Sequence, residues 1–418
     1  MTPDQRHAAP TTARRPDAEH HPLVGVLHET LRYARERDYT GWDYGDGMSS
    51  RIRRALPVEN RWVNLAFQET AKRAPVNLRP LLLVEQRRNY KGAALFAMAN
   101  LNCDELSHAV DVGEPDVDYR GEAADLADWL VDERIEGYSG FCGGHRHEIQ
   151  HLHTTGSPDD PDVVSTSYAV QALLAAGHVD DRYPEVARSA ADFVLEDLNY
   201  REVDDCARID YHMNHDDDVF TVNAGALGAR LLVDLYAAFG DGDLRRRATR
   251  ILDHVANLQT DAGGWYYRDP PDSSHLSMDN HHNGFVIEAF LRHRAVTGSN
   301  RYEDTLSDAL SFYREALFEE SGAPNFDESN AYPRDIHAST QGALVFTYAG
   351  EFGFAERILE WAVENFRAGE GRFYFRKHRY HTKRHVLMRW CQAWMAYAIS
   401  EYLTAVGGTQ PSRDAPGR

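Results

Sequence analysis

The chain has 418 residues, 42% hydrophobic and 11% aromatic, which is ample material for a core and excludes a globally disordered protein. Its 65 Asp and Glu outweigh 45 Lys and Arg, giving a formal net charge of -20, so binding to phosphate backbones is disfavoured and no nucleic-acid partner is expected. The N-terminus has no apolar signal region, no run approaches the roughly 18 apolar residues of a membrane span, and Cys103, Cys142, Cys206 and Cys391 show no C-x-x-C spacing. A cytoplasmic protein without an integral membrane segment, disulfides or a thiol zinc site is therefore expected.

The only lysines are Lys72, Lys91, Lys377 and Lys383. An acid-rich, lysine-poor chain suits a cytosol of molar salt, where screening shortens the reach of self-repulsion, and points to an extreme halophile.

In chain order, residues 1–20 are polar and rich in Pro, Ala, Arg and His, which predicts a disordered tail. From about residue 21 to 404 apolar residues recur at helical spacing, and strand-like alternation is hard to find. A unit recurs: an apolar helix rich in small residues, a short turn, a charged amphipathic helix, and a loop with Gly and aromatics. The apolar helices open near Lys91, Ser165, Asn223, Asn283, Ala338 and Met388, with 60 residues from Asn223 to Asn283. Six helix pairs with long loops predict an all-α (α/α)6 toroid rather than an open superhelix. A Gly/Pro/Ser tail, 405–418, follows.

Chemically active residues gather in the loops that enter the apolar helices. Rings that stack on sugar faces, with polar groups for the hydroxyls, are what a carbohydrate site needs. Trp42, Asp43, Asp46, Tyr168, Asn223, Trp265, Tyr266, His281, Arg334, Tyr374, Arg376 and Trp390 are the candidates for substrate binding. His282, beside Asp279, and His337, beside Asp335, open consecutive apolar helices. A helix N-terminus disfavours imidazolium, so each can accept a proton near neutrality, and together they read as an acid/base couple. His147-Glu148-x-x-His151 has the spacing of a zinc helix, but Gly143-Gly144 and Gly156-Ser157-Pro158 leave no room for a long one, so a metal is not expected. The basic island Arg376 to His385, followed by Arg389 and Trp390, suggests an anionic ligand such as a sugar carboxylate, a sugar nucleotide or a lipid diphosphate.

Several of these runs resemble a six-hairpin family found among polysaccharide and glycan assembly proteins. Asp279-Asn280-x-His282-x-Gly284-Phe285 resembles its D-N-F-H-T-G-F run, Pro333-x-Asp335-Ile336-His337 its P-x-D-I-H-S run, and Met388-Arg389-Trp390-x-Gln392-x-Trp394-Met395 its M-R-W-x-Q-x-W-M run. Gly41 to Asp46 is similar to a G-Y-D-P-Y-D opening and Asp162 to Thr166 to an N-V-V-x-T helix start, so the likeness runs from about residue 40 to 400. His281, Asn283 and Ala338 depart from it, as does the His-rich loop around His147. Within the family the chain is most similar to the AglQ-type proteins of haloarchaeal N-glycosylation. The resemblance implies a sugar isomerase or epimerase acting on a hexuronic acid or related sugar during assembly of a lipid-linked N-glycan. The substrate would be nucleotide- or dolichol-phosphate-linked. In that reading His282 and His337 transfer protons, Arg389 is the charge partner, Asp279 and Asp335 belong to the catalytic set with them, and no cofactor is needed. Two alternatives stand beside it: a glycoside hydrolase drawing a carboxylate pair from Asp43, Asp46, Asp210, Asp279 and Asp335, and a glycan-binding scaffold without catalysis.

Overall fold

The computed structural model describes residues 21–58, 60–110, 114, 116–150, 155–213 and 219–408. The expected tail at 1–20, most of that at 405–418, and His151 lie outside the described residues.

Twelve helices alternate between two concentric rings. The outer ring holds α1 (Pro22–Arg35), α3 (Tyr119–Asp132), α5 (Arg182–Arg188), α7 (Gly242–Asn257), α9 (Glu303–Ala316) and α11 (Phe352–Phe366). The inner ring holds α2 (Tyr90–Val110), α4 (Val163–Ala175), α6 (Val222–Phe239), α8 (Asn280–Thr297), α10 (Ile336–Tyr348) and α12 (Trp394–Gly407). Each inner helix packs on the next and α12 returns to α2, while α1 covers α12. The molecule is an (α/α)6 toroid, as the repeat of six apolar helices predicts.

The rings differ in composition because they differ in how many faces are covered. Every residue from Val163 to Leu173 of α4 is buried, which only an apolar, small-residue helix tolerates. At Gly284 of α8 an added Cβ would lie 2.4 Å from Gln341 Cγ of α10, so the inner helices meet there without room for a side chain. Outer helices bury one stripe, as α7 does with Leu244, Ala248, Ile251, Leu252 and Val255. Asp118, Asp162 and Asp335 cap their helices by accepting backbone N–H bonds, and Gly240 and Gly298 end α6 and α8 in the left-handed conformation. Helix α6 is long and apolar enough to cross a bilayer, but 78% of that window is buried inside the molecule, so inner-ring packing accounts for its composition.

The inner ring also carries a buried polar network. Arg230 of α6 is paired with Glu288 of α8, Gln341 Nε2 donates to Glu288 Oε2 at 2.6 Å, and Arg292 Nε donates to Asp234 Oδ1 at 2.5 Å. Removing one member strands a buried charge, so Arg230→Met is expected to cost about 3–5 kcal/mol of unfolding free energy. Arg230→Met combined with Glu288→Leu should recover much of it. Denaturant titration of the three proteins checks this, and an undiminished double-mutant cost would refute the pairing.

Among the described residues strands are confined to antiparallel ribbons of two or three residues in the loops, too short for sequence alternation to reveal. One of them is functional in placement: Arg334–Asp335 pairs with Arg376–Lys377, which pairs with Thr382–Lys383. It ties the basic island to the start of α10. Between α1 and α2 the chain makes an extra lobe with helices at Arg51–Ala55 and Arg61–Arg73.

Candidate functional site

All six inner helices begin at one end of the toroid, and that end holds a cavity of about 230 Å³. Its wall takes a residue from the start of each: Lys91 from α2, Val164 from α4, Asn223 from α6, His281, His282 and Phe285 from α8, His337 from α10, and Arg389 and Trp390 from the π-helical turn Met388–Ala393 that leads into α12. Tyr44, Gly45, Gln68, Lys72, His145, Ile149, Tyr211 and Tyr267 complete it from the loops and the extra lobe. Among the described residues the wall has four histidines, three cationic side chains and no carboxylate. Six helix N-termini add their positive dipole ends to that field.

The histidines stand in one file. His281 lies 4.0 Å from His282 and 4.8 Å from His337 between ring centroids, with the second pair stacked. His282 Nδ1 lies 2.8 and 2.9 Å from the two oxygens of buried Asp279, which fixes the ring and leaves Nε2 as the other working atom. His281 Nδ1 is 3.2 Å from the same carboxylate. Burial, outweighed by the fields of His282 and His281, leaves Asp279 below the usual carboxylate range. Burial, reinforced by His282, holds His281 well below the ordinary imidazole value. Burial, with His281, Lys91 and Arg389 nearby, does the same to His337. Neither ring nitrogen of His337 has a hydrogen-bond partner; the ring packs against Trp394 at 4.4 Å, the edge-on Trp390 at 4.8 Å and Phe285 at 5.6 Å, besides His281.

Lys91 is a buried cation of the wall, as is Arg389. Its Nζ stands 5.8 Å from the Tyr168 ring centroid and 5.9 Å from those of Phe285 and Trp394. Burial, reinforced by the Arg389 guanidinium, pushes its ammonium down to about 7. Arg389 Nε donates to Asp43 Oδ2 at 2.7 Å, and Asn89 Nδ2 donates to the same oxygen at 2.8 Å. Burial acts to raise Asp43, but Arg389 outweighs it and holds the carboxyl low.

Of the residues singled out from sequence, the cavity brings together His281, His282, His337, Asn223, Arg389 and Trp390. Asp279 and Asp43 stand behind them. Asp335 does not reach the wall: it caps α10 through the His337 amide and accepts from Arg376 Nε at 2.8 Å and Trp390 Nε1 at 2.9 Å. Asp335 and Arg376 thus act as supports that aim Trp390. Asp46 pairs with Arg79 at 2.7 Å, and Asp210 with Arg201 at 2.9 Å. Trp42 is pinned to the Val84 carbonyl through Nε1. Trp265 is core, stacked on Phe290 with Nε1 on the Val255 carbonyl. Tyr168 is fully buried beneath Lys91. Tyr266 is surface-exposed, Arg334 is paired with Glu319, and Tyr374 lies below Arg384; none of the three lines the cavity.

Lys91, Tyr267, Tyr211 and His145 are among the wall residues that sequence reasoning did not select. Lys91 had a signal, as one of four lysines placed at the head of an apolar helix. Of the H-E-x-x-H run, His147 is buried beside the cavity with its Nδ1 3.0 Å from the His145 carbonyl; burial, with His145, pushes it down to about 4. Among the described residues Asp279, His281 and His282 could hold a metal, their ligand atoms lying within 4.8 Å of one another. A second, smaller cleft of about 20 Å³, large enough for a water, adjoins the cavity and is lined by Asp43, Asp46, Asn89, His145 and His147 among others.

No protein-family model matches the chain, and no curated protein matches it in sequence. Its fold is shared with solved structures. It is similar to a cellobiose 2-epimerase from Bacillus thermoamylovorans (TM-score 0.57, 13% identity, 76% of this chain and 87% of that one). It is also similar to a family 76 glycoside hydrolase (mannosidase) from Bacteroides thetaiotaomicron (TM-score 0.60, 10% identity, 92% and 98%). A third is an unsaturated glucuronyl hydrolase from Bacillus sp. GL1 (TM-score 0.56, 12% identity, 91% and 94%). At such identities the likeness establishes the toroid, which hosts several reactions.

Proposed function

We propose that the protein is a sugar isomerase or epimerase acting on a hexuronic acid or a related acidic sugar. The observation that carries this reading is the cavity wall, which offers histidines and cations and, among the described residues, no carboxylate. Removing a proton from a carbon beside a carboxylate or carbonyl requires a base, an acid to return the proton, and positive charge for the enolate-like intermediate. His337 is the base and His282, oriented by Asp279, its proton-transfer partner. Arg389 and Lys91 hold the anionic group and stabilise the charge that develops on it. Phe285, Trp390 and the tyrosines supply the apolar surface on which a pyranose face rests.

The fold neighbours include sugar epimerases and a glucuronyl hydrolase, which agrees with a carbohydrate substrate. The resemblance of the Asp279, Asp335 and Met388 runs to glycan-assembly proteins, the AglQ-type among them, supports a reading in which the reaction belongs to assembly of a lipid-linked N-glycan in a halophilic cytoplasm. The sugar would be presented on a nucleotide or dolichol phosphate.

One observation favours hydrolysis instead. Asp43 and Asp46 share a cleft, and while Asp43 is held low, burial outweighs Arg79 and pushes Asp46 up to about 6, the split that an acid and a base need. That cleft, however, has room for a water and not for a sugar ring. The two readings separate in one experiment: incubation of candidate uronosyl substrates in deuterium oxide. Deuterium in the recovered sugar is expected, and release of reducing ends without exchange would replace the epimerase reading by the hydrolase.

A further inference from the structure

We propose that the lobe of residues 50–88, with the hairpin 376–385 beside it, is a docking face for an anionic membrane surface, set at the lip of the cavity. The first observation is a helix turned inside out. Helix Arg61–Arg73 buries Asn64, Gln68 and Ala71. Asn64 Nδ2 donates to Gln150 Oε1 at 2.7 Å, and Gln68 exchanges bonds of 2.9 and 3.1 Å with the Gln150 backbone. A surface helix ordinarily turns its apolar stripe inward, yet here the amides are satisfied inside while Trp62 stands 61% exposed.

The second observation is concentration. Of twelve large apolar side chains exposed among the described residues, eight belong to these two segments, including Val76 at 62%, Leu81 at 73%, Leu83 at 54% and Tyr380 at 87%. Solitary exposed apolar residues need no explanation, but a cluster marks an interaction surface. The segments form one surface: Lys383 Nζ donates to the Lys72 carbonyl at 3.3 Å, Arg79 Nη1 lies 3.3 Å from His385 Nδ1, and the Arg51 amide donates to the Leu83 carbonyl at 3.0 Å.

The third is charge. Residues 51–88 hold nine Arg and Lys against Glu59, Glu69 and Glu85, and 376–385 hold five against none, in a chain of net charge -20; of these, Arg79, Arg88 and Arg376 are paired with Asp46, Asp38 and Asp335 from outside the two segments. Glu85 is shared by Arg51, Arg54 and Arg87, and Glu69 by Lys72 and Arg73; the exposed Arg379 and Arg384 stand beyond them. Apolar tips interleaved with arginine fit the boundary between acyl chains and anionic headgroups. An acidic protein or soluble polyanion would use the charge and leave the apolar tips uncovered. Gln68 and Lys72 of the same helix line the cavity, so docking would bring the mouth to the headgroup layer. This inference does not depend on the reaction proposed above.

The test is flotation of the full chain with vesicles of phosphatidylcholine alone and of phosphatidylcholine with phosphatidylglycerol, at a salt concentration where circular dichroism shows native helix. The wild type is expected to float with the anionic vesicles. Trp62→Ser combined with Leu81→Ser and Leu83→Ser should reduce the bound fraction by about tenfold, and Arg379→Glu with Arg384→Glu should reduce it comparably, with helix content and melting temperature unchanged. Wild-type chain remaining at the bottom of the gradient with anionic vesicles overturns the proposal. So does a triple variant that floats as well as the wild type, or heparin binding that is equal in both proteins while vesicles capture neither.

Discussion

Replacing His337 by Ala is expected to lower turnover by about 10² to 10⁴, the usual worth of a positioned acid or base, while substrate affinity largely persists. The expectation rests on the state of the ring. Both its nitrogens are buried without partners, and burial with cationic neighbours holds it well below the ordinary imidazole value. A histidine that only filled space would be bonded to a carbonyl or carboxylate, since an unsatisfied buried polar group costs about 1–3 kcal/mol. His282→Ala should fall in the same range, and Asp279→Asn by less, because the amide still holds the ring while losing the charge that supports its imidazolium. Arg389→Lys should be impaired as well, since an ammonium cannot reproduce the fork that a carboxylate binds. Turnover, affinity, melting temperature and solvent deuterium exchange of these variants decide the matter, with His337→Gln as a variant that keeps side-chain volume. Near-normal turnover in both histidine variants would remove the acid/base assignment. Unfolding of both, His337→Gln included, would make them core residues. Loss of activity in Asp279→Asn and Asp335→Asn with survival of the histidine variants would favour hydrolysis.

The toroid was legible because inner helices must be apolar on every face, and that requirement writes small and aliphatic residues into six evenly recurring runs. The histidine file was legible for a related reason: His281, His282 and His337 interrupt those runs at their first turns, where only the cavity can accept a polar ring. What sequence could not separate was a side chain aimed into the cavity from one aimed behind it. Asp335 and Asp279 have the same local setting, a carboxylate next to a histidine at a helix start; yet Asp335 is consumed by the His337 amide, Arg376 and Trp390, and Asp279 by the imidazoles. Trp265 reads as a stacking platform, but its loop dips between the rings and the indole finds Phe290 and the Val255 carbonyl. Only the Arg376–Asp335 ribbon, formed by residues 41 apart, shows that the basic island braces α10.

Lys91→Met is expected to lower turnover by about 10² to 10³, comparable to the loss of one pre-placed donor at a developing oxyanion. The side chain is the right length to reach the cavity from the first turn of α2, it stands over the Tyr168, Phe285 and Trp394 rings, and it adjoins Arg389 and His337. An ammonium pushed down to about 7 by burial and by Arg389 can give up a proton near neutrality, which an ordinary lysine cannot. Lys91→Arg keeps the positive charge and removes that capacity, so a charge-only role predicts that Lys91→Arg retains activity and a proton-transfer role predicts that it does not. The same depressed value has a stability signature. Below about 7 the amine is charged in both the folded and unfolded chain, and the full cost of burying the ammonium is present; between about 7 and the unfolded value of about 10.4 the unfolded chain binds more protons, so stability rises with pH. The melting temperature of Lys91→Met relative to wild type should therefore be highest below pH 7 and fall as the pH approaches 10. A difference that stays flat over that interval would mean the ammonium is not depressed, and Lys91 would then serve the substrate as a fixed cation and not as its acid.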